Sequence, residues 1–259
     1  MFIERTAPTS ITKVLPLSRG ERQFEACLAL AFAHDYPKLA GRAHEVLAPA
    51  EAACFSGFQF EPRRRSYLLG RYAAKLALQQ LIPGSSLKAL EIGAGVFGQP
   101  LVLHPSPVPP DVTISHSGDL AVALAFPAGH PMGVDVEQID PERLTTIQSV
   151  MSARERAWAG HSPREQIILS TLVWTAKEAL SKTLFCGLMS PMEIFNLSEL
   201  RPTGPGTWEG LFENFAQYKF ISGASPSYLL SMVLPKRTSC AVNLPFAEAV
   251  SQGLPPKVP

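Results

Sequence analysis

Two stretches of about twenty residues carry a helix pattern with a clean stop, and each is followed by a train of short β-type runs. The first, Pro62–Leu81, is rich in Ala, Leu, Arg and Lys and ends ahead of Ile82-Pro83-Gly84. The second opens on Ser162-Pro163-Arg164-Glu165 and stops at Gly187 after Phe185. Its serine and the glutamate three residues on can satisfy the free amides of a helix start. After the first helix come Leu101–Leu103, Val112–His116, Leu120–Phe126 and Met132–Glu137, with a hairpin break at Ser117-Gly118-Asp119. After the second come Phe195–Leu197, Trp208–Phe220 and Tyr228–Leu234. Helix then strands therefore occurs twice, before and after about residue 130, although no residue-level repeat links the halves. Glu21–Ala33 is apolar at a spacing that fits either a strand or a helix.

Composition narrows the class. With 259 residues the chain holds one large domain or two small ones, and 46% apolar against 17% charged residues excludes whole-chain disorder. The formal net charge of +1 removes any bulk basic field for nucleic acid or anionic membrane, so an anion site has to be local. The longest apolar stretches, such as Ala26–Ala33, fall far short of a membrane span. Cys27, Cys54, Cys186 and Cys240 form no CxxC pair and no secretory leader precedes them, which leads us to expect reduced thiols in a soluble, cytoplasmic protein.

The second helix holds the clearest anomaly. Leu172, Ala176, Ala179, Leu180 and Thr183 share one face, while Trp174, Lys177, Glu178, Ser181 and Lys182 share the other. A solvated face with helical ion pairs accounts for most stripes of this kind, but it gains nothing from a tryptophan. Glu178 and Lys182 at i, i+4 can support the helix, or can hold a carboxylate and an ammonium against one phosphate and its cation. In Gly133-Val134-Asp135-Val136-Glu137 the period of two puts Asp135 and Glu137 on one strand face. Two carboxylates so placed repel unless solvent, a basic partner or a hard cation lies between them. Mg²⁺ suits such a pair, and Glu178 would make a third ligand if the helix packs beside the strand.

On the first helix Arg64, Arg71 and Lys75 form a stripe flanked by Arg63 and Arg65. Single arginines of this kind usually snorkel to solvent, but a cluster on an apolar helix with little acid nearby favours phosphate, whose oxygens match the guanidinium fork. Ile114-Ser115-His116-Ser117-Gly118 ends a strand at a tight turn. It lacks both a zinc spacing and a Gly-x-Ser-x-Gly elbow, which excludes a hydrolase triad.

Read in order, Gly98-Gln99-Pro100, Ile114-Ser115-His116-Ser117-Gly118, Gly133-Val134-Asp135-Val136-Glu137 and Trp174-Thr175-Ala176-Lys177-Glu178-Ala179-Leu180-Ser181-Lys182 resemble the 4'-phosphopantetheinyl transferases of the two-lobed, surfactin-synthetase-activating type. The basic run Arg63–Lys75 resembles the helix preceding these motifs, so the likeness spans about residues 45–185. It implies an α+β fold: a pseudo-symmetric pair of α/β lobes, each a long helix packed on a small antiparallel sheet, with the ligand cleft between lobes. The lobes would be residues 1–129 and 130–247, followed by a Pro-rich tail at 248–259. The implied enzyme is a monomer that moves the phosphopantetheine arm from coenzyme A to a serine of an apo acyl or peptidyl carrier protein, releasing adenosine 3',5'-bisphosphate, with Mg²⁺ as cofactor.

Carried over by motif, Asp135, Glu137 and Glu178 would bind the metal, and Glu178, Lys182 and His116 would form the catalytic set. Arg63, Arg71 and His116 would contact coenzyme A phosphates, Lys182 and Asp135 its pyrophosphate region, and Gly98, Gln99, Pro100 and Ser115 the adenine side. Gln99 replaces a charge many relatives carry, Ala48–Ser56 lacks a basic residue some relatives have, and Pro105–Pro110 lengthens a loop. The competing readings are a non-catalytic carrier-protein or coenzyme A binding module and a Mg²⁺-dependent phosphodiesterase acting on coenzyme A.

Overall fold

A computed structural model describes residues 10–158, 160, 162–240 and 246–254. The strands are β1 (Ser10–Arg19), β2 (Arg22–Phe32), β3 (Glu91–Ala94), β4 (Pro100–Leu103), β5 (Asp111–Ser117), β6 (Leu120–Phe126), β7 (Gly133–Gln138), β8 (Leu197–Gly204), β9 (Thr207–Phe212), β10 (Tyr218–Ala224), β11 (Tyr228–Pro235) and β12 (Ser239–Cys240). The helices are α1 (Tyr36–Gly41), α2 (Ala43–Val46), α3 (Pro49–Gly57), α4 (Glu61–Leu81), α5 (Leu144–Ser149), α6 (Ala153–Ala157), α7 (Pro163–Thr183) and α8 (Phe246–Gly253). Both long helices form where the sequence pattern puts them, and α7 carries its expected cap, with Ser162 Oγ accepting from the Glu165 amide at 3.3 Å.

Two antiparallel sheets result, ordered β12-β1-β2-β6-β5 and β7-β11-β10-β9-β8, beside the small β3-β4 hairpin. The apolar segment left open between strand and helix is β2. Alternation explains its composition: Cys27, Ala29 and Ala31 pack under α4, while Leu28, Leu30 and Phe32 enter a central cluster. That cluster also takes Val134 and Val136 of β7, Val122 and Phe126 of β6, and Leu230 and Met232 of β11. α7 covers the outer face of the second sheet through Leu172, Ala176, Ala179 and Leu180. The molecule is thus layered helix, sheet, sheet, helix, and the two sheets share one apolar interior.

Three boundaries differ from the sequence reading. The Trp208–Phe220 run is two strands, β9 and β10, separated by a polar turn at 213–217. Met192–Phe195 is a short 3₁₀ turn, and the strand begins at Leu197. The expected tail from 248 is helical as far as Gly253, because Phe246 and Val250 bury in the central cluster; residues 255–259 lie outside the described part. β12 also pairs with β1, returning the chain to the N-terminal sheet after the C-terminal one is complete. No helix of the described residues is long and apolar enough to cross a membrane.

Candidate active site

The acidic face of β7 lies under α7, and a glycine lets the helix come close. A Cβ at Gly133 would stand 2.2 Å from the Ala179 carbonyl oxygen, so only glycine permits this approach. One consequence is that Lys182 reaches Asp135, donating from Nζ to Oδ1 at 2.6 Å. Asp135 is 4% exposed; Ser115 donates to the same Oδ1 at 2.6 Å, and Oδ2 is buried without a hydrogen-bond partner. Glu137 is fully engaged: Trp174 Nε1 donates to Oε1 at 3.2 Å, while Ser117 Oγ, at 2.7 Å, and Arg143 donate to Oε2. Arg143 also lies over the Trp174 ring, 5.8 Å from its centroid.

Glu178 faces the same charges. Burial first, then the negative charge of Asp135, pushes its carboxyl up to about 7, with Lys182 opposing and Glu137 adding to the rise. Burial likewise raises Asp135 above the usual aspartate value, although Lys182 and Ser115 work against it. Surrounding protein first, then the charges of Lys182 and Arg63, hold His116 below the usual imidazole value, while its exposed edge stays open to the cleft. These mutual effects place Asp135, Glu137, Glu178, Lys182, Arg143 and His116 in one electrostatic neighbourhood.

Beside it, a cleft of about 600 Å³ runs along the N-terminal lobe, lined among others by Arg63, Tyr67, Arg71, Gly98, Pro100 and His116. A smaller space of about 190 Å³ shares Gly98, Pro100 and Ile114 with it and bridges to Lys182 and Phe185 across the lobe boundary. The larger cleft therefore belongs to one lobe, and only its continuation lies between the two. A depression of about 630 Å³ at Pro16, Phe24, Leu81 and Pro110 is as large. Among the described residues Glu25 is its only charged lining group, so volume alone does not mark the site.

The basic stripe divides on inspection. Lys75 is 0% exposed and donates to the Val46 carbonyl at 2.7 Å and to Glu51, so it is a core residue. Arg64 donates to the carbonyls of Phe55 and Phe58 at 3.2 and 3.3 Å and lies over the Phe55 ring. Arg63 and Arg71 remain for a ligand, resting on the Phe58 and Tyr67 rings. Arg71 Nε stands 3.4 Å from Glu51 Oε1, within ion-pair range, yet makes no hydrogen bond. The stripe on α7 is not a solvated face either, because Lys177 and Ser181 are fully buried.

The resemblance gives Ser115 to the adenine side, whereas its hydroxyl faces away from the cleft. On β5 the alternation turns Ile114 and His116 to the cleft and Ser115 to β7, where its hydroxyl meets Asp135 and the Val136 amide. Gln99 folds into its own turn, its Oε1 accepting from the Phe97 amide at 3.0 Å. Sequence reasoning missed Glu51, whose only signal is its place three residues into a helix that starts at Pro49, and Arg143, which carries no signal at all.

A divalent cation can be tested against these groups. Asp135 Oδ2 is a buried carboxylate oxygen without a hydrogen-bond partner, and Glu178 is raised first by burial and then by the negative charge of Asp135, a combination that a hard cation relieves. Among the described residues, however, no three His, Cys, Asp or Glu side chains form an assembled ligand cluster. Lys182 and Arg143 stand on Asp135 and Glu137. The residues fit Mg²⁺ in charge and donor type, with Asp135 and Glu178 available and Glu137 committed.

The family model for the 4'-phosphopantetheinyl transferase superfamily matches residues 131–233, from just ahead of β7 into β11. No curated protein matches the chain. Among solved structures it is similar to the holo-(acyl-carrier-protein) synthase of Bacillus anthracis strain Ames in complex with CoA (3',5'-ADP), at 19% identity over 44% of this chain and 97% of that one, with a TM-score of 0.36. The holo-[acyl-carrier-protein] synthase of Neisseria meningitidis shows 16% identity over 44% and 96%, TM-score 0.34. That of Thermotoga maritima shows 22% over 48% and 70%, TM-score 0.33.

Proposed function

We propose that the protein transfers the 4'-phosphopantetheine arm of coenzyme A to a serine of an apo carrier protein and releases adenosine 3',5'-bisphosphate, as a cytoplasmic monomer of the two-lobed, surfactin-synthetase-activating type. One observation carries this reading: the Asp135, Glu137, Glu178 and Lys182 group lies within the span matched by the superfamily model and adjoins an arginine-lined cleft. Arg63, Arg71 and His116 would hold the coenzyme A phosphates along that cleft, and the turn Gly98–Pro100 would border the nucleotide.

Asp135 and Glu178 would hold Mg²⁺, with Glu137 joining when Arg143 releases it. Bound there, the ion would neutralise charge developing on the diphosphate oxygens. Glu178, which the bound cation would keep ionised, would take the proton from the carrier serine. The serine oxygen then bonds to the phosphorus bearing the pantetheine arm as the bond from that phosphorus to the bridging oxygen breaks. Lys182, already poised on Asp135, would give a proton to the leaving phosphate. The test is incubation with coenzyme A, Mg²⁺ and a panel of apo carriers, read by mass spectrometry. A carrier heavier by one phosphopantetheine group supports the proposal. Unmodified carriers with no nucleotide released favour a binding module, and free phosphopantetheine without a carrier favours the phosphodiesterase.

A further inference from the structure

β7 is the edge strand of the C-terminal sheet and pairs only with β11, so every second amide along its other side needs a partner. Among the described residues no strand supplies one. Instead β5, from the other lobe, presents a hydroxyl at every second position. Val134 N donates to Thr113 Oγ1 at 3.2 Å, Val136 N to Ser115 Oγ at 3.3 Å, and Gln138 N to Ser117 Oγ at 3.0 Å. The separation is 21 residues at each rung, so the two strands run alongside in the same direction.

A hydroxyl that accepts an amide still has its own proton to give. Ser115 gives it to Asp135 Oδ1 at 2.6 Å and Ser117 to Glu137 Oε2 at 2.7 Å. Each serine therefore touches both the backbone that seats one lobe on the other and the carboxylate beside it. Thr113, Ser115 and Asp135 are 2, 5 and 4% exposed, so water has little access to replace the upper rungs.

We propose that Ser115 and Ser117 are positioning residues: their hydroxyls tie the docking of the two lobes to the aim of Asp135 and Glu137. The inference rests on the transferase reading for its kinetic arm alone. Neither serine lines the cleft that Arg63, Arg71 and His116 border, so their effect falls on turnover and leaves coenzyme A capture alone.

Ser115→Ala and Ser117→Ala are compared with wild type by native-state hydrogen exchange and by transfer kinetics. Loss of one net hydrogen bond predicts exchange about three- to tenfold faster at Val136 in Ser115→Ala and at Gln138 in Ser117→Ala, with the Val134 amide unchanged in both. In Ser115→Ala kcat falls about tenfold or more while KM for coenzyme A stays within about twofold, and Ser115→Thr, which keeps the hydroxyl, recovers part of kcat. Unchanged exchange at both amides overturns the ladder. A raised KM with normal kcat overturns the positioning role and makes Ser115 a ligand contact. Should Ser115→Ala not fold, the half-buried Ser117 carries the same exchange test. If wild type modifies no carrier, the transferase reading fails, and the exchange results still decide whether the hydroxyls seat the lobes.

Discussion

In the N-terminal lobe Glu51 Oε2 accepts from the Ala48 amide at 2.8 Å and pairs with Lys75, and Oε1 accepts from the Ile92 amide at 3.2 Å. In the C-terminal lobe Glu155 Oε2 accepts from the Ser152 amide at 2.7 Å and pairs with Lys177 at 2.9 Å, and Oε1 accepts from the Leu197 amide at 2.8 Å. Each lysine also donates to the carbonyl of a valine five residues before its glutamate, Val46 at 2.7 Å and Val150 at 3.1 Å. Lys75 and Lys177 are each the fifteenth residue of a helix of 21. The same clamp joins a short helix, the long helix and the first strand after the long helix in both lobes. One step beyond the lysine the lobes part: Glu178 stands where the first has Leu76, and Lys182 where it has Gln80. Counted against the neighbouring strand, Asp135 and Glu137 stand where β2 has Ala29 and Ala31. One scaffold thus serves two tasks, acid and ammonium in one lobe and arginines along a cleft in the other.

The largest test of this division removes what the first lobe lacks. Glu178→Gln should lower carrier modification by about a thousandfold while coenzyme A binding falls only modestly, as expected for a base beside its cation. Leu76→Gln, the matching change in the other lobe, should leave turnover within about twofold, measured in the same assay. Near-normal transfer by Glu178→Gln would take the base role from this residue.

The clamps themselves predict a difference of stability. Removing one partner of a buried pair costs about 3–5 kcal/mol because the other charge is left uncompensated. Lys177→Met should fall in that range in urea unfolding, since among the described residues Lys177 is the one cation paired with Glu155. Lys75→Met should cost less, about 2–3 kcal/mol, because Arg71 stays 3.4 Å from Glu51. Equal costs would mean that Arg71 gives Glu51 nothing.

How much of this was legible in the sequence follows from distance along the chain. Helix pattern and strand alternation are local, so α4, α7 and β4–β7 could be read within a residue or two, and the shared face of Asp135 and Glu137 came with the alternation. The clamps could not be read, because glutamate and lysine lie 24 residues apart in one lobe and 22 in the other. The sequence pattern therefore groups Lys75 with the phosphate-binding arginines, since nothing nearby in sequence announces Glu51. For Ser115 the motif and the strand differ: the resemblance groups it with His116 on the ligand, while the alternation of β5 turns it away from Ile114 and His116.

Stability against pH separates the lobes next. Glu178 rises from an ordinary 4.5 to about 7 on folding, so the metal-free protein binds its proton more tightly than the unfolded chain does. That contribution is present below about pH 4.5 and is lost as pH rises through about 7. Urea unfolding between pH 5 and 7.5 should show a decline of about 1–3 kcal/mol from this group. Glu178→Gln should remove the decline, and saturating Mg²⁺ should shrink it, because a bound cation favours the ionised carboxylate. A profile unaltered by Glu178→Gln would assign the slope elsewhere.

The smallest effect belongs to the arginine side. Arg71 borders the cleft from Tyr67 and is only loosely held by Glu51, so it has donors left for a phosphate. A single charge-assisted contact contributes about 1.5–3 kcal/mol, and the lower end, roughly tenfold in affinity, suits a guanidinium that Glu51 already holds in part. Arg71→Ala should accordingly raise KM for coenzyme A about tenfold and change KM for the carrier by less than about twofold, with kcat little altered. Arg71→Lys should restore only part, because an ammonium lacks the planar fork. If the carrier KM moves instead, α4 faces the protein substrate, and the division of labour between the lobes runs the other way.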